Sequence, residues 1–594
     1  MYLAELKLVN FRSCLDTVVE FTGDLTVLVG ENGSGKSNVI DAIRLSTLST
    51  SERPSIWFDQ DRDRTYNLPA ESIVKISNTY HGLTDMEKAV FMPQLVDGHG
   101  NLVYNLTFKT SGMHSRSSRA HFTVGENELP DAEPESRELV AHVYLPPLRD
   151  AVRELGSSDG IRLAEILRVL SDNNTEQFES DANDIVKRVA ELSLSLKVKE
   201  ATQNEFQKLT HPARGHEIHV GSRTQELRRL AGLLRVTLSE NGIQQSELGA
   251  SGLGLANLLF ISMVVLQLEK ARKYDLTLLL VEEPEAHLHP QLQSVLLAYL
   301  RDRARESQKS TRTTHEPSGR IQVIVSTHSP NLASSVSTQN IVAVSRQHSN
   351  NTDIWWTKTR ALSRAGLNDV EQRKIDRYLN VTRASLVFAR QVFLVEGISD
   401  SITLLSLAKH VVLNTDKNAV QQIESTSIIA IDGVDFKPYL KLLLGGEFCL
   451  VDKVVVITDG DKNGNSVPGQ DRKTEYENLY VEAVDAGILN VFVGEYTLEA
   501  DLFGLESNDS LLRAAYLEIH PRSATKWQEV IDATGGNSEF RARCFRDAMR
   551  NDQLDISKGD FSQLVASALE AQPNGIFEVP RYLDQAIKAV LIER

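Results

Sequence analysis

The amino-acid sequence predicts an α/β protein with two separate functional sites. A glycine-rich loop at 30–37 lies between an apolar strand and a helix. A second apolar strand, at 277–283, ends in two acidic residues. From Val392 onward, short apolar strands alternate with helices, which is typical of a parallel sheet covered by helices. The first two features predict a nucleotide site, and the third predicts a smaller C-terminal domain.

Length and composition favour a large globular protein. The 594 residues correspond to roughly four domain-sized units at ~150 residues each, and 41% of them are apolar. Lys+Arg 64 against Asp+Glu 80 gives a net charge of −16, which excludes a protein that coats polyanions over its whole surface but allows a local basic groove. Cys14, Cys449 and Cys544 are far apart, so we expect neither a disulfide framework nor a zinc ribbon, and a reducing cytoplasm is the predicted compartment.

No segment of the sequence predicts membrane association. The first fourteen residues, MYLAELKLVNFRSC, alternate polar and apolar side chains, so they predict a strand rather than a secretory signal. The longest apolar stretch, from Leu255, is interrupted by Asn257 and Ser262 and stops at Glu269. This stretch is too short to cross a bilayer.

Changes of pattern along the chain predict five segments. Apolar spacing in the second segment is helical and indicates an insertion that serves packing or dimer contact. Within the third segment, the polar run 301–320 predicts a surface loop, and a long buried helix is expected at 255–272. The segments are 1–150 (strand-rich, first part of the nucleotide-binding domain), 151–233 (helical insertion), 234–345 (second part of that domain), 346–390 (linker) and 391–594 (C-terminal α/β domain).

The loop at 30–37 matches the pattern GxxxxGK[ST] in its required context, between the strand DLTVLV and the helix SNVIDAIRLS. Backbone N–H groups of such a loop surround phosphates, Lys36 is expected to hold the β- and γ-phosphates, and Ser37 is expected to bind Mg²⁺. The residues predicted to bind the nucleotide here are Gly30, Asn32, Gly33, Gly35, Lys36, Ser37 and Asn38.

The acidic strand end predicts the hydrolytic half of the same site. Apolar strands rarely end in paired carboxylates unless a cation lies nearby. Glu282 is expected to hold Mg²⁺ through its water shell and Glu283 to orient or deprotonate the attacking water, although the reverse assignment stays open. His328 follows the strand IQVIVST and is predicted to sense the γ-phosphate. His287 and His289 have no matching third ligand, so we assign them a structural role.

These motifs resemble the ATPases of the ABC class that includes SMC and RecF proteins. The resemblance rests on NFRS, GENGSGKSN, LLLVEEPEAHLHP and STHSP. It implies that two protomers enclose ATP and that a signature loop of one protomer caps the γ-phosphate bound by the other. The candidate loop is 248–254, with Ser251 and Gly252 contacting ATP, but Ala250 departs from the usual LSGGQ-like pattern. A glycine-rich turn that only starts the next helix remains the alternative.

Acidic residues at strand ends predict a second site in the C-terminal domain. Glu396 ends the strand VFLVE, Asp400 follows at a helix start, and Asp459 and Asp461 end the strand KVVVIT. Strand ends on one edge of a parallel sheet converge. Carboxylates held that close repel each other unless hard cations lie between them, and oxygen ligands suit Mg²⁺ or Mn²⁺. Glu499 is a plausible further ligand.

Two ions about 3.5–4 Å apart can stabilise both the attacking and the leaving oxygen in phosphodiester cleavage. Lys558, in SKGDF, could neutralise charge that develops on the phosphate. The acids resemble the Toprim fold of topoisomerases, primases and certain nucleases. An ATPase followed by LVEGISD, VVITDGD, EYTLEADL and KGDF, in that order, resembles the OLD (overcoming lysogenization defect) nuclease family, including the nuclease subunit of Gabija-type anti-phage systems.

The resemblance covers nearly the whole chain and implies an ATP-regulated, metal-dependent DNA endonuclease or nickase, often used in bacterial defence against phages. It gives the metal-binding roles to five acids and places Lys558 near the scissile phosphate. It also implies that 151–233 is a dimerisation insertion, that the protein forms a dimer or tetramer, and that a helicase or other defence protein could be its partner. The five acids are Glu396, Asp400, Asp459, Asp461 and Glu499.

One function from another class stays open, namely an ATPase scaffold that sequesters or recruits a separate effector. The complete set of five acids favours the nuclease, because a scaffold could lose any of them freely. A topoisomerase is disfavoured by the leading ATPase and a primase by the lack of a cysteine-rich zinc module. Because the chain is acidic overall, DNA is expected to be steered by local Lys and Arg, with 358–390 as the candidate segment.

Overall fold

The computed structural model consists of two units, formed by 1–28 with 35–327 and by 29–34 with 328–594. The described residues run from 1 to 592 with several gaps. The ranges outside the description are 50–55, 70–71, 110–118, 148–160, 172–173, 211–215, 221–223, 235–236, 239–245, 248–252, 287, 315, 349–354, 380–383, 447, 465, 535–536, 572–575 and 593–594.

The first unit contains an antiparallel sheet and a parallel sheet region. The antiparallel sheet has the strand order β2-β1-β5-β6-β7-β8, and the parallel region has the neighbours β3-β13-β12-β9-β4. The strands are β1 (Tyr2–Phe11), β2 (Cys14–Glu20), β3 (Leu25–Val29), β4 (Leu48–Ser49), β5 (Val74–His81), β6 (Leu102–Lys109), β7 (Arg119–Val124), β8 (Leu129–Pro130), β9 (Val140–Leu145), β10 (Thr237–Leu238), β11 (Ser246–Glu247), β12 (Leu276–Glu282) and β13 (Arg320–Thr327).

The parallel strands β3 and β12 are buried along their whole length, as expected for continuous apolar runs with both faces covered. Both were predicted, as was the long buried helix near 255–272. The helices of the first unit are α1 (Lys36–Ser46), α2 (Gln60–Asp63), α3 (Asp85–Val90), α4 (Ile161–Leu170), α5 (Glu176–Ala190), α6 (Ser193–Leu209), α7 (Leu227–Ala231), α8 (Leu253–Ala271) and α9 (Pro290–Gln308).

The predicted surface loop at 301–320 is wrong over its first eight residues. Helix α9 continues to Gln308, because Leu300 and Ala304 extend the buried stripe that begins at Leu296 and Leu297. The charged residues between these buried positions lie on the outer face of the helix. Because they outnumber the apolar residues in this part of the sequence, they obscure the helical spacing.

The second unit is built around a four-stranded parallel sheet of order β17-β16-β18-β19, preceded by the antiparallel pair β14 and β15. The sheet confirms the α/β architecture predicted for the C-terminal third. The strands are β14 (Ile341–His348), β15 (Trp355–Ala361), β16 (Gln391–Val395), β17 (Ser427–Ala430), β18 (Lys453–Thr458) and β19 (Leu489–Val493).

Helices of the second unit cover this sheet and form a further apolar core around Trp527 and Phe545. The helices are α10 (Pro330–Ser334), α11 (Asp369–Tyr378), α12 (Ile398–Leu407), α13 (Lys417–Ser425), α14 (Lys437–Leu444), α15 (Pro468–Leu479), α16 (Val481–Asp485), α17 (Leu498–Phe503), α18 (Asp509–Ile519), α19 (Ala524–Ala533), α20 (Ser538–Arg550), α21 (Lys558–Ala571) and α22 (Arg581–Ala589). None of the helices in the described ranges is both long and apolar enough to span a membrane.

Candidate active sites

The acids predicted for the C-terminal domain meet at the carboxyl edge of its parallel sheet. Glu396 follows β16 directly, and its Oε1 accepts hydrogen bonds from the hydroxyl of Thr458 and from the backbone N–H of Asp459 at 2.9 Å. The ends of two neighbouring strands are thereby joined through one carboxylate. Asp400 lies in the first turn of α12, where its Oδ2 accepts the N–H of Gly397 at 2.9 Å.

Close backbone packing explains the glycine of the Asp-Gly-Asp sequence. A Cβ atom at Gly460 would lie 2.1 Å from the carbonyl oxygen of Gly494 and 2.5 Å from that of Glu495. Only glycine therefore allows the loop after β18 to approach the loop after β19. This approach places the segment that leads to Glu499 beside the ends of β16 and β18.

Burial and mutual repulsion strongly perturb these carboxylates. Burial, reinforced by the negative charge of Glu499, raises the pKa of Asp400 to about 6. Burial raises the pKa of Asp459 well above its usual range, and the charges of Asp400 and Glu396 raise it further. Asp400, Asp459, Glu396 and Glu499 thus share one electrostatic environment.

Lys558 brings a positive charge to this cluster. Its Nζ lies 3.2 Å from Oε2 of Glu499, whose side chain is only 2% exposed. Burial lowers the pKa of Lys558, but the carboxylates of Glu499, Asp459 and Asp400 outweigh that effect and leave the pKa raised. Lys558 and Arg472, which bonds Glu396, together supply two positive charges to four carboxylates, so side chains alone do not balance the cluster when all four acids are ionised.

The cluster fits hard divalent cations. Glu499 Oε1 is buried without a hydrogen-bond partner, and the surrounding donors are carboxylate oxygens, which Mg²⁺ and Mn²⁺ prefer. Within the described residues, no three such side chains already stand in a metal-ligand arrangement. A cation held here would relieve the repulsion that raises the pKa of Asp400 and Asp459.

Asp461 differs from the other four acids. It adopts a left-handed backbone conformation with φ 50°, and its carboxylate lies 3.8 Å from Arg472 and 3.9 Å from Arg550. The charges that raise the pKa values of Asp400 and Asp459 belong mainly to other carboxylates of the cluster, not to Asp461. The structure thus places Asp461 beside two arginines at the rim of the acidic cluster.

Arg472 is a site residue that the sequence did not reveal. Its Nη2 donates to the hydroxyl of Thr458 at 2.7 Å, to the carbonyl of Asp459 at 2.7 Å and to Glu396 Oε1 at 3.3 Å. The guanidinium therefore fixes both strand ends and the orientation of Glu396. Arg472 belongs to α15, in a polar stretch, and no spacing or motif marks it.

We expect the affinity for Mn²⁺ to increase with pH. A cation must displace protons from Asp400, whose pKa is about 6, and from Asp459, whose pKa is also raised. Affinity should therefore rise by up to about tenfold per pH unit for each of these two carboxylates that is still protonated. Calorimetric titration of Mn²⁺ at pH 5 to 8 measures this. Asp400→Asn should bind more weakly and with a shallower pH dependence, whereas a pH-independent wild-type affinity contradicts the assignment.

The nucleotide loop has the backbone that its motif requires. Gly33 and Gly35 have φ of 75° and 113°, and Gly35 is the residue before α1. A Cβ at Gly30 would lie 2.1 Å from the carbonyl oxygen of Val344, so that position also requires glycine. Lys36 begins α1 and is buried. These features support the predicted phosphate-binding loop.

Asn38 has a structural contact in addition to its predicted nucleotide role. Its Nδ2 donates to Ser13 Oγ at 2.7 Å, and its Oδ1 accepts from Arg12 Nη1 at 3.2 Å. Arg12 also bonds Asp41 and Asp63, each at 2.8 Å. The motif NFRS therefore fixes the start of α1 from the turn between β1 and β2. The sequence motif identifies this turn, but it does not predict these contacts.

The two acids at the end of β12 are in different environments. Glu282 is buried, and its Oε2 accepts a hydrogen bond of 2.5 Å from the hydroxyl of Tyr144. Glu283 has a left-handed backbone with φ 44°, and its N–H donates to the carbonyl of Ser326 at 2.9 Å. A non-glycine residue in this conformation is strained, which is common at active sites. Tyr144 was not anticipated from the sequence.

The remaining predicted residues are three histidines and two residues of the candidate signature loop. His328 is the first residue after β13 and is exposed. His289 caps α9, where its Nδ1 accepts the N–H of Gln291, so its structural assignment is confirmed. Ser251, Gly252 and His287 lie outside the described residues.

Comparison with known proteins agrees with both predicted domains. Residues 1–89 and 148–333 match the AAA ATPase domain, and 387–461 match the Toprim domain of overcoming lysogenization defect protein-like proteins. The OLD nuclease of Thermus scotoductus is 23% identical over 539 residues, which cover 86% of this chain and 94% of that protein. The Old nuclease of Escherichia phage P2 is 23% identical over 546 residues, 87% of each chain.

Among solved structures, the C-terminal region of the Burkholderia pseudomallei OLD protein aligns with 34% of this chain and 97% of its own, at 22% identity and a TM-score of 0.23. The two matching domains follow each other in the order predicted from the motifs. The predicted resemblance, an ATPase joined to an OLD-like Toprim domain, is therefore confirmed.

Proposed function

We propose that this homologue of the OLD nucleases, which joins an AAA ATPase domain to an OLD-like Toprim domain, is an ATP-regulated DNA endonuclease or nickase that depends on Mg²⁺ or Mn²⁺. We propose that the protein acts in bacterial defence against phages. Its proposed location is the cytoplasm. The observation that carries the proposal is the convergence of Glu396, Asp400, Asp459 and Glu499 around Lys558 at one sheet edge.

The residues of this cluster fall into two groups by their task in phosphodiester hydrolysis. The carboxylates of Asp400, Asp459 and Glu499 would hold the cations, with Asp461 at the rim. Bound divalent cations supply electrostatic stabilisation of the attacking and leaving oxygens. Glu396, oriented by Arg472, would bind a cation beside these carboxylates, and the ammonium group of Lys558 would offset negative charge on the reacting phosphate.

A plasmid-nicking assay tests the activity. Supercoiled plasmid is incubated with the full chain and Mg²⁺ or Mn²⁺, with and without ATP, and with EDTA as a control. We expect nicked or linear DNA only when a divalent cation is present. Intact plasmid with either cation, with and without ATP, would refute the nuclease and favour a scaffold function.

A path made of two sets of hydrogen bonds, joined by strand β15, supports ATP regulation. The hydroxyl of Thr357, on β15, donates to the backbone carbonyl of Ser34 in the phosphate-binding loop at 2.9 Å. Three residues further along the same strand, the buried guanidinium of Arg360 donates to the carbonyls of Leu442 at 2.7 Å and Phe448 at 3.0 Å. Strand β15 thus connects the nucleotide loop with the C-terminal end of α14, which precedes β18 and Asp459.

Removing the first hydrogen bond of this path is expected to weaken the regulation. Thr357→Val keeps the side-chain shape but leaves the carbonyl of Ser34 without its donor, a change of about 1 kcal/mol. The difference in nicking rate with and without ATP should shrink several-fold, while the rate without ATP stays near that of the wild type. Thr357→Ser, which retains the hydroxyl, is the matched control. Equal ATP dependence in all three proteins contradicts the path.

Self-association through the helical insertion is part of this proposal. Helices α5 and α6 expose several large apolar side chains, which is unusual for a surface that faces only water. A dimer, or a dimer of dimers, would cover them, and a separate helicase or other defence protein is a further partner to test. The exposed side chains include Phe178, Ile185, Val189, Leu194, Leu196, Val198 and Leu209.

A further inference from the structure

Helix α20 carries a line of arginines that the nuclease cluster does not use. Arg543, Arg546 and Arg550 are spaced by three and four residues, so they lie along one face of the helix. The first and last are seven residues apart, or about 10.5 Å along the axis at 1.5 Å per residue. That distance is close to the rise of three nucleotides on one DNA strand, at about 3.4 Å each.

Contacts with the loop after β18 fix this face beside the acidic cluster. Arg546 donates to the carbonyl of Lys462 at 2.5 Å, and its guanidinium lies 4.7 Å from the ring centre of Tyr496. Glu539, on the same face, bonds the ammonium group of Lys462 at 2.6 Å. Arg550 lies 3.9 Å from Asp461, at the rim of the site. The arginine face therefore begins beside the acidic cluster and extends away from it along α20.

The three arginines differ in what they can offer to a ligand. Arg546 is 11% exposed and forms a close ion pair with Asp547, so its task is to hold the helix against the loop. Arg550 is 55% exposed, and its distance to Asp461 exceeds that of a hydrogen bond. Arg543 is exposed and lies over the ring of Phe540. Arg543 and Arg550 thus present guanidinium groups that suit phosphate oxygens.

The basic segment 358–390 offers less charge to DNA than its sequence suggests. Arg360 is 5% exposed and bonded to backbone carbonyls. Lys374 pairs with Asp435 at 2.8 Å, and Arg390 donates to the carbonyl of Arg346. Of the segment's cations on α11, Arg373 and Arg377 are exposed. These two provide a matched comparison for the pair on α20.

We infer that the face of α20 formed by Arg543, Arg546 and Arg550 is the surface that binds the DNA backbone and guides it into the acidic cluster. This inference rests on the proposed nuclease function. Arg543 and Arg550 contact phosphates, Arg546 positions the helix, and Arg550 marks the point at which the backbone enters the site. Such contacts depend on charge and are independent of base sequence.

Binding of a fluorescein-labelled DNA duplex by the full chain, measured by anisotropy in Ca²⁺ or EDTA over a range of salt concentrations, tests the inference. R543Q/R550Q removes two phosphate contacts, so the slope of log affinity against log salt should decrease by about 1.8 in magnitude. Affinity near 0.15 M salt should fall roughly tenfold or more. R373Q/R377Q, on α11, removes the same charge elsewhere and should leave both quantities unchanged.

The outcomes separate this inference from the proposed function. If R543Q/R550Q binds DNA like the wild type, or if R373Q/R377Q loses as much affinity, the surface is wrong even though the wild type cleaves DNA. If the wild type binds duplex but cleaves none with Mg²⁺ or Mn²⁺, the nuclease function fails while the surface stands. A wild type that binds no DNA overturns both. Unchanged thermal unfolding and Mn²⁺ affinity of R543Q/R550Q show that the fold and the acidic cluster are intact.

Discussion

Replacing Asp459 by asparagine is expected to lower the rate of DNA cleavage by roughly a thousandfold. The substitution keeps the shape of the side chain but removes the negative charge at the centre of the acidic cluster. Cation stabilisation of the reacting oxygens amounts to several kcal/mol, and about 4 kcal/mol corresponds to a factor of a thousand in rate. The measurement is the initial rate of plasmid nicking with saturating Mg²⁺ or Mn²⁺.

The same variant should become more stable when no cation is present. Burial raises the pKa of Asp459, so at neutral pH its charged form is disfavoured in the folded protein relative to the unfolded chain. Asparagine removes that penalty, and thermal unfolding in EDTA should occur at a higher temperature than in the wild type. Asp471→Asn, on α15, is a control that should change neither property. Cleavage at the wild-type rate by Asp459→Asn contradicts the site.

Much of this site could be predicted from the sequence, because the carboxyl ends of parallel strands lie on the same edge of the sheet. Glu396 and Asp459 are 63 positions apart, yet each directly follows a buried apolar strand, and such strand ends lie on one edge of the sheet. The phosphate-binding loop is equally recognisable, because its spacing and its strand–helix context are local. In both cases a short pattern of residues is enough to specify a backbone geometry.

Other residues of the two sites could not be predicted, because their contacts depend on tertiary packing. Arg472 reaches Glu396 across 76 positions, and Tyr144 reaches Glu282 across 138. Arg360 lies in a strand before the predicted domain boundary but bonds the end of a helix some 80 residues later. Side chains of this kind look like ordinary polar surface residues in the sequence, since nothing local specifies their partners.

The two acids at the end of β12 show how the structure refines a prediction that the sequence left open. Glu282 completes the strand and is held by Tyr144, so its carboxylate has a fixed neighbour and is suited to a static role in holding Mg²⁺ through water. Glu283 follows the strand in a left-handed conformation. This difference favours Glu283 as the residue that orients or deprotonates the attacking water.

Glu283→Gln should therefore reduce ATP hydrolysis about a hundredfold or more, the usual loss when a general base is removed, while ATP binding stays close to that of the wild type. Lys36→Ala should instead lose binding, since the ammonium group is expected to hold the β- and γ-phosphates. Phosphate release and binding of a fluorescent ATP analogue distinguish the two defects. Glu285→Gln, which still accepts the hydrogen bond from Thr327, is the matched control. If Glu282→Gln hydrolyses no ATP but binds it, and Glu283→Gln hydrolyses it normally, the two acids have the opposite roles.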